Sequence, residues 1–195
     1  MAPAPARAIS ALMCPPEAGV FAGGANSVGS GSSNFADDID YSREVPDDGP
    51  GLRHLTMTNS RLGERFDRPF VEGGQFVQDA LDEFSYFARD WRQDEVKSFD
   101  PKTMDIIWKV WRLLDTSDVF NLNSGYRSPR TNASLPGAAK QSMHLYAKAA
   151  DLTIGSRSVA QVYRAAMSVR GGGVGKYTDS NFVHVDSGRV RTWGS

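Results

Sequence analysis

Two short stretches in which apolar and polar residues alternate constrain the fold of this chain most. In residues 148–154 the apolar side chains recur at every second position and leave Asp151 on the other side. In residues 182–186 two valines alternate with polar or aromatic positions, among them His184. Because alternate side chains of a β-strand share a face, two neighbouring strands of this kind would bring Asp151 and His184 together on one face of a sheet.

The remaining apolar periodicity predicts strands and helices mixed without a regular strand–helix–strand rhythm. Asp100 followed by Pro101 is typical of a helix start, since Asp caps the first turn and Pro lacks only an N–H group that this turn leaves unpaired. The mixture predicts an α+β fold in a single domain, an antiparallel β-sheet with flanking helices. The last two strands are expected to form a closing hairpin, and the glycine run at 171–175 a turn. The predicted strands are 55–58, 66–71, 119–123, 148–154, 181–186 and 189–193, and the predicted helices are 78–91, one that begins at 101, and one from 156 or 158 to about 170.

The composition divides the chain into two parts. Residues 1–50 are rich in Ala, Pro, Gly, Ser and Asp, so we expect a flexible N-terminal segment in front of a domain that spans residues 51–195.

The single cysteine, Cys14, excludes an internal disulfide framework and a cysteine-based zinc site. No membrane span is expected, because no apolar run approaches the ~18 residues that it requires. The first residues do not form a convincing signal peptide, because Pro15 and Pro16 end their short apolar run. The oligomeric state is not predicted.

The C-terminal part of the chain is strongly basic. From Phe120 to Ser195 there are ten Lys or Arg residues and three Asp residues, although the whole chain carries a net charge of −1. This half suits an anionic partner, either nucleic acid or a carboxylate-bearing polymer such as peptidoglycan, unless it is only a solvated basic face. No nucleic-acid partner is expected, because the sequence lacks the aromatic–basic interleaving of the usual binding folds.

Two of the three histidines, His144 and His184, lie in segments that also contain aspartates. Two imidazoles and one carboxylate form a common ligand set for catalytic zinc, whose fourth position stays open for water. Asp151 follows His144 by seven residues, a spacing that many proteins contain by chance, and a histidine is more often structural than metal-binding. The residue types therefore indicate a metallohydrolase only if His144, Asp151 and His184 meet in space.

A hydrolase of this kind also needs a general base, and the sequence limits its identity. No glutamate follows Glu95, so a base supplied by the C-terminal half is either Asp179 or Asp186. Asp186 lies two residues after His184 and on the same face of the predicted strand, which favours it. The alternative is that Asp186 orients a histidine ring or a structural arginine.

Four linked motifs then suggest a family. They are NSGYRSPRTN at 123–132, Ser142-x-His144 with Asp151, GGVG-x-Y at 172–177, and SNFVHVD at 180–186 with Arg191-x-Trp193. In this order and spacing the chain resembles the murein endopeptidase K (YcbK-like) family from about residue 52 to residue 193. That family belongs to the wider group of zinc peptidases that includes VanX-type D-alanyl-D-alanine peptidases and the hedgehog signalling domain.

The resemblance implies roles for individual residues. Arg127 would lie near the metal and hold a substrate carboxylate or the developing oxyanion, the alternative being a salt bridge that pins a loop. The catalytic residues are expected to be Asp186 and Arg127. The implied zinc ligands are His144, Asp151 and His184. Three further residues are expected to shape the substrate site, with simple packing as the alternative for each: Tyr126, Ser142 and Trp193.

The implied activity is Zn2+-dependent hydrolysis of an amide bond in peptidoglycan stem peptides or cross-links. The resemblance implies an enzyme of the D,D-endopeptidase or carboxypeptidase type, located in the periplasm or cell envelope. The alternative is a catalytically inactive, zinc-stabilised hedgehog-like module that binds cell-wall peptide or a protein partner.

Two positions depart from the family pattern. Ala147 stands where the family commonly has glycine, which costs little unless the backbone there needs a positive φ, and we expect the site to survive it. Asn181 stands where VanX-type relatives place a glutamate, three residues before the last histidine, and asparagine cannot act as a base. This second departure leaves the identity of the base open and favours the inactive alternative.

Overall fold

A computed structural model describes residues 39–194. These residues form a mixed eight-stranded sheet, with four α-helices and one short 3-10 helix, Met143–Tyr146. The sheet order is β3-β2-β1-β4-β5-β7-β6-β8. The strands are β1 (Arg53–Asn59), β2 (Glu64–Glu72), β3 (Gln75–Phe76), β4 (Phe120–Ser124), β5 (Ala149–Thr153), β6 (Gly173–Tyr177), β7 (Phe182–Asp186) and β8 (Arg191–Gly194), and the helices are α1 (Gln78–Phe87), α2 (Pro101–Leu113), α3 (Pro129–Ser134) and α4 (Val159–Val169).

Most neighbouring strands run antiparallel. The exceptions are two parallel pairs, β1 with β4 and β6 with β8. The predicted α+β fold with a largely antiparallel sheet and flanking helices is therefore confirmed. Across residues 39–194, we find no helix with the length and apolar character to cross a membrane.

Helices α2 and α4 cover one face of the sheet beside β6 and β7. As predicted, Asp100 caps α2, where its side chain accepts a hydrogen bond from the Lys102 N–H. Helix α4 begins with a capping box between Ser158 and Gln161. The apolar sides of these helices bury Trp108 and the valines of β7 in the core. The polar positions of β5 and β7 are thereby left on the opposite face, away from the two helices.

The predicted closing hairpin is wrong. Strand β6 lies between β7 and β8 and pairs antiparallel with β7, while β8 lies parallel to β6 at the sheet edge. The glycine run expected to be a turn enters the sheet, because β6 begins at Gly173. The glycines are required by their neighbours: a Cβ on Gly173 would lie 2.2 Å from the Arg191 guanidinium, and one on Gly175 would lie 2.6 Å from the Trp193 ring.

Part of the predicted N-terminal segment packs on the domain. Ile39, Tyr41 and Val45 lie against the hydrophobic core, and the Trp108 indole N–H donates to the Asp48 carboxylate at 3.2 Å. Residues 1–38, which include Cys14, lie outside the described residues.

Candidate metal centre

Strands β5 and β7 are neighbours, and Asp151 lies directly opposite His184 in their antiparallel register. The alternation of the sequence predicted this meeting. His144 comes from the 3-10 helix that precedes β5, and the Ser142 hydroxyl caps this helix by accepting from the His144 N–H. The structure thus brings the three predicted metal ligands together.

The three side chains converge through one atom each. His184 Nδ1 lies 2.9 Å from Asp151 Oδ1, and His144 Nε2 lies 3.2 Å from both of these atoms. Ligands about 2.0–2.1 Å from a tetrahedral zinc ion would be separated by about 3.3 Å, close to these distances. The residues are buried, with exposed fractions of 1% for His144, 4% for Asp151 and 7% for His184.

Hydrogen bonds on the far side of each ring determine which nitrogen carries a proton. The Gly125 carbonyl can only accept, so His144 Nδ1 donates to it at 2.6 Å and Nε2 keeps its lone pair. His184 Nε2 lies 3.0 Å from the Asp186 carboxylate and donates to it, which leaves the lone pair on Nδ1. Burial lowers the pKa of His144, which favours the neutral ring, whereas for His184 burial is outweighed by hydrogen bonds with Asp151 and Asp186, which raise its pKa. A metal ligand must be deprotonated, so a cation bound at His184 Nδ1 would displace any proton there. Two imidazole lone pairs and a carboxylate oxygen therefore face one another, a donor set that fits a divalent cation.

This cluster lies in a cleft of about 830 Å³. Two guanidinium groups, of Arg127 and Arg191, line the cleft, and Asp151 is the single carboxylate among the described lining residues. The other walls come from the loop 135–143 and from an aromatic group made of Tyr177, Phe182 and Trp193. The cleft is therefore basic around a buried carboxylate, and its size admits a peptide.

Arg127 pairs directly with the candidate ligand Asp151. Its terminal nitrogen Nη2 donates to Asp151 Oδ2, the oxygen that does not face the histidines. Its Nε donates to the Ser124 hydroxyl at 2.8 Å. The backbone N–H of Arg127 donates to the His144 carbonyl at 3.2 Å. The Arg127 guanidinium thus forms a salt bridge, as in the alternative to substrate binding. It also places a positive charge in the cleft wall.

Asp186 is not placed as a general base. It is fully buried, lies on the Nε2 side of His184 away from the donor cluster, and is absent from the described residues that line the cleft. Both of its oxygens accept hydrogen bonds, from the Arg191 guanidinium, His184 Nε2 and the backbone N–H groups of Gly173 and Gly188. Although burial opposes it, hydrogen bonds from His184 and Arg191 lower the pKa of Asp186. The geometry favours the alternative, in which Asp186 orients the His184 ring.

The three residues expected to shape the substrate site differ in position. Tyr126 points away from the cleft into the core, and its hydroxyl donates to Glu95 at 2.7 Å; burial, assisted by Glu95, raises its pKa to about 12. Tyr126 therefore packs in the core and does not line the cleft, which agrees with the packing alternative. Ser142 and Trp193 do line the cleft, and the Trp193 ring lies 5.1 Å from that of His184.

Neither departure from the family pattern disrupts the cleft. Asn181 is exposed, has a φ of 54° at the turn between β6 and β7, and borders a small cavity beside α4 rather than the cleft that contains His184. A side chain at this position does not reach the cleft, so Asn181 gives no support to the inactive alternative. Ala147 has a φ of 52°, the left-handed conformation that favours glycine at a cost of about 1–2 kcal/mol for alanine. The hydrogen bond from the Asp100 N–H to the Ala147 carbonyl at 2.9 Å helps to hold it there.

Sequence reasoning missed two contributors to the centre. Gly125 supplies the carbonyl that fixes His144, and a Cβ at this position would lie 2.4 Å from the Ala88 carbonyl oxygen. Tyr177 stacks on Phe182 at 4.5 Å and accepts a hydrogen bond from the Trp193 indole at 2.9 Å. Both residues stand within the motifs noted above, but their contacts join segments far apart in the chain.

The sequence of the domain is similar to sequences of known proteins. The sequence model of the family described as peptidoglycan L,D-endopeptidase MepK matches residues 48–193. The chain belongs to this family. The MepK family is one of metallopeptidases of the cell wall, as the resemblance predicted.

Two relatives illustrate the similarity to MepK proteins. Peptidoglycan L,D-endopeptidase MepK of Escherichia coli (strain K12) is 39% identical over 148 residues, which cover 74% of this chain and 81% of the relative. The probable peptidoglycan L,D-endopeptidase MepK of Haemophilus influenzae is 37% identical over 149 residues, covering 74% and 80%. These relatives are named L,D-endopeptidases, so their names do not support the expected D,D-endopeptidase or carboxypeptidase type.

Proposed function

We propose that this protein is a zinc-dependent peptidoglycan L,D-endopeptidase of the cell envelope. The observation that carries the proposal is the convergence of two imidazole lone pairs and one carboxylate oxygen within about 3.2 Å in a basic cleft. Membership of the MepK family supports peptidoglycan as the substrate, and the names of the relatives favour the L,D bond. A periplasmic location is part of the proposal, because the substrate lies there.

The proposed ligands of the zinc ion are His144 Nε2, Asp151 Oδ1 and His184 Nδ1. Zinc bound there would supply a Lewis acid for the scissile carbonyl and activate the attacking water. The Gly125 carbonyl and the Asp186 carboxylate orient the two rings from behind. Each histidine is thus held in the tautomer that a metal ligand requires.

Arg127 is proposed to bind the substrate next to the reacting bond. Its guanidinium already donates to Asp151 and Ser124, so its position in the cleft wall is defined before a peptide arrives. A preorganised cation stabilises negative charge that develops on a carbonyl oxygen more effectively than solvent does. The proposal assigns no side-chain carboxylate as base, because the described cleft residues include no acid besides Asp151.

The function can be tested with purified protein and cross-linked muropeptides. Fragments joined by an L,D cross-link and fragments joined by a D,D cross-link are incubated with the zinc-loaded protein, with and without a chelator. We expect cleavage of the L,D cross-link alone, loss of activity with the chelator and recovery with added zinc. Cleavage of D,D cross-links alone would contradict the bond assignment. Intact fragments in every zinc-loaded sample would contradict the enzyme itself and support the inactive module.

Replacing Arg127 by alanine tests its role in substrate binding. We expect kcat/KM to fall about 10²–10³-fold, the usual cost of removing a preorganised donor to an oxyanion. Arg127→Lys should recover only part of this loss, because an ammonium cannot bridge Asp151 and Ser124 as the guanidinium fork does. The measurement is steady-state kinetics with the zinc content of each variant determined in parallel. Unchanged kinetics for Arg127→Ala with full zinc content would leave Arg127 with the loop-pinning role alone.

A further inference from the structure

Two arginines share one tryptophan ring outside the metal centre. The guanidinium carbon of Arg61, in the turn after β1, lies 4.6 Å from the centroid of the Trp91 ring, and that of Arg92 lies 4.3 Å from it. Both arginines are exposed, while Trp91 is half-buried in the loop after α1. Stacking on an aromatic face holds a guanidinium in place without using its N–H donors.

These two guanidinium groups have no direct carboxylate contact in the part of the chain that the structure describes, although the Asp90 carboxylate lies near Arg92. Neither guanidinium forms an ion pair or a hydrogen bond with any residue in 39–194, whereas Arg53, Arg65, Arg68 and Arg89 all pair with carboxylates. Burial and repulsion from Arg61, with a smaller contribution from Arg127, outweigh the attraction of the Asp90 carboxylate and lower the pKa of Arg92. Like charges held together cost free energy, which the nearby Asp90 carboxylate offsets in part and an anion bound beside them would offset further.

The arginine pair is linked to the cleft by a buried carboxylate. One oxygen of Asp90 accepts from the Arg92 backbone N–H at 3.1 Å, and the other accepts from the Ser128 backbone N–H at 2.9 Å. The Tyr126 N–H donates to the Ala88 carbonyl at 2.8 Å, a second link between the same two loops. The loop that carries Trp91 and Arg92 is therefore fastened to the loop that carries Arg127.

We propose that Arg61 and Arg92, stacked on Trp91, form a subsite that binds carboxylates of the substrate peptide beyond the bond held at the metal centre. This inference rests on the proposed function, since it continues the basic cleft from Arg127 along the surface. Stem peptides carry several free carboxylates, and a planar guanidinium binds a carboxylate through two parallel N–H donors. The subsite would select acidic, extended peptides over short or amidated ones.

Binding and cleavage are tested separately. A synthetic stem peptide with free carboxylates and its amidated counterpart are titrated into the zinc-loaded protein at low and high salt, with binding followed by calorimetry and by Trp91 fluorescence. We expect the acidic peptide to bind at least about tenfold more tightly than the amidated one, with an advantage that shrinks at high salt. In Arg61→Gln/Arg92→Gln this advantage should disappear. The variant Trp91→Phe identifies the share of the signal that comes from Trp91.

A second variant controls for the change in net charge. Arg68→Gln/Lys102→Gln removes two positive charges from exposed positions elsewhere on the domain and should bind the acidic peptide as the wild type does. Equal binding by wild type and Arg61→Gln/Arg92→Gln would overturn the subsite, as would displacement of the peptide by inorganic phosphate at an equal concentration.

The binding result tests the subsite independently of cleavage. If the wild type cleaves no L,D cross-link, only the proposed function is overturned. If the enzyme is active, the double arginine variant should lose about tenfold in kcat/KM on acidic cross-linked muropeptides but keep its activity on a short amidated substrate.

Discussion

Replacing His184 by alanine is expected to lower kcat/KM on L,D cross-linked peptides by at least about a thousandfold, because the metal contributes several kcal/mol to the transition state. His184 Nδ1 is one of only three donor atoms in the cluster, and it is oriented by the hydrogen bond from Nε2 to Asp186. An alanine leaves one imidazole and one carboxylate, which hold zinc poorly. We expect the zinc content to fall with the activity.

The measurement is zinc stoichiometry by elemental analysis together with steady-state kinetics. His54→Ala is a matched control, because His54 is the remaining histidine of the chain and lies half-buried on β1, with its Nε2 3.4 Å from the Asp67 carboxylate. This control should keep both zinc and activity. Full zinc content and normal turnover in His184→Ala would show that His184 is not a ligand of the catalytic metal.

Replacing Asp186 by alanine should weaken both the fold and the metal site. Its fully buried carboxylate joins His184, Arg191 and the backbone of Gly173 and Gly188, so its removal takes an acceptor away from five N–H donors of four residues. We expect a loss of about 2–4 kcal/mol in the free energy of unfolding, less than for a wholly buried ion pair because the Arg191 side chain is one-third exposed. Zinc affinity should fall about 10–100-fold, since His184 loses the partner that orients its ring.

The milder variant Asp186→Asn separates orientation from base catalysis. An amide keeps the size of the side chain but disturbs the hydrogen bonds to His184 and Arg191, so zinc affinity should fall together with kcat. Chemical denaturation, competition with a chelator and kinetics at saturating zinc provide the three readouts. A variant with unchanged zinc affinity and stability but no turnover would restore Asp186 as the general base.

The residues that could be predicted from the sequence are those whose positions follow from local periodicity. Alternation placed Asp151 and His184 on the polar faces of their strands, and the structure pairs them directly. The Asp100–Pro101 signal located the start of α2 for the same reason, because a helix cap involves only neighbouring residues. The resemblance to cell-wall peptidases depended on linked motifs, and it identified the family correctly.

The errors arose where distant segments meet. A period of two cannot tell which strand lies beside β7, so β8 was expected there and β6 was found. The glycines of β6 carry no side chains, so this strand shows no alternation of apolar and polar residues in the sequence. Their lack of a Cβ leaves the space that Arg191 and Trp193 occupy. Tyr126 lies next to Arg127 in sequence but points into the core, since consecutive side chains in this loop diverge.

The sequence by itself determined the family, the donor types and the face on which two of the three donors stand, because these depend on residue identity and local geometry. Only the tertiary structure showed which groups the supporting residues contact. Whether Asp186 acts as a base or orients a ring depends on which imidazole nitrogen it touches. Whether Arg61 joins Arg92 in one cationic pair depends on its packing against the Trp91 ring of another loop. The direction of each of these side chains, even between residues close in sequence, is set by the packing of the whole domain.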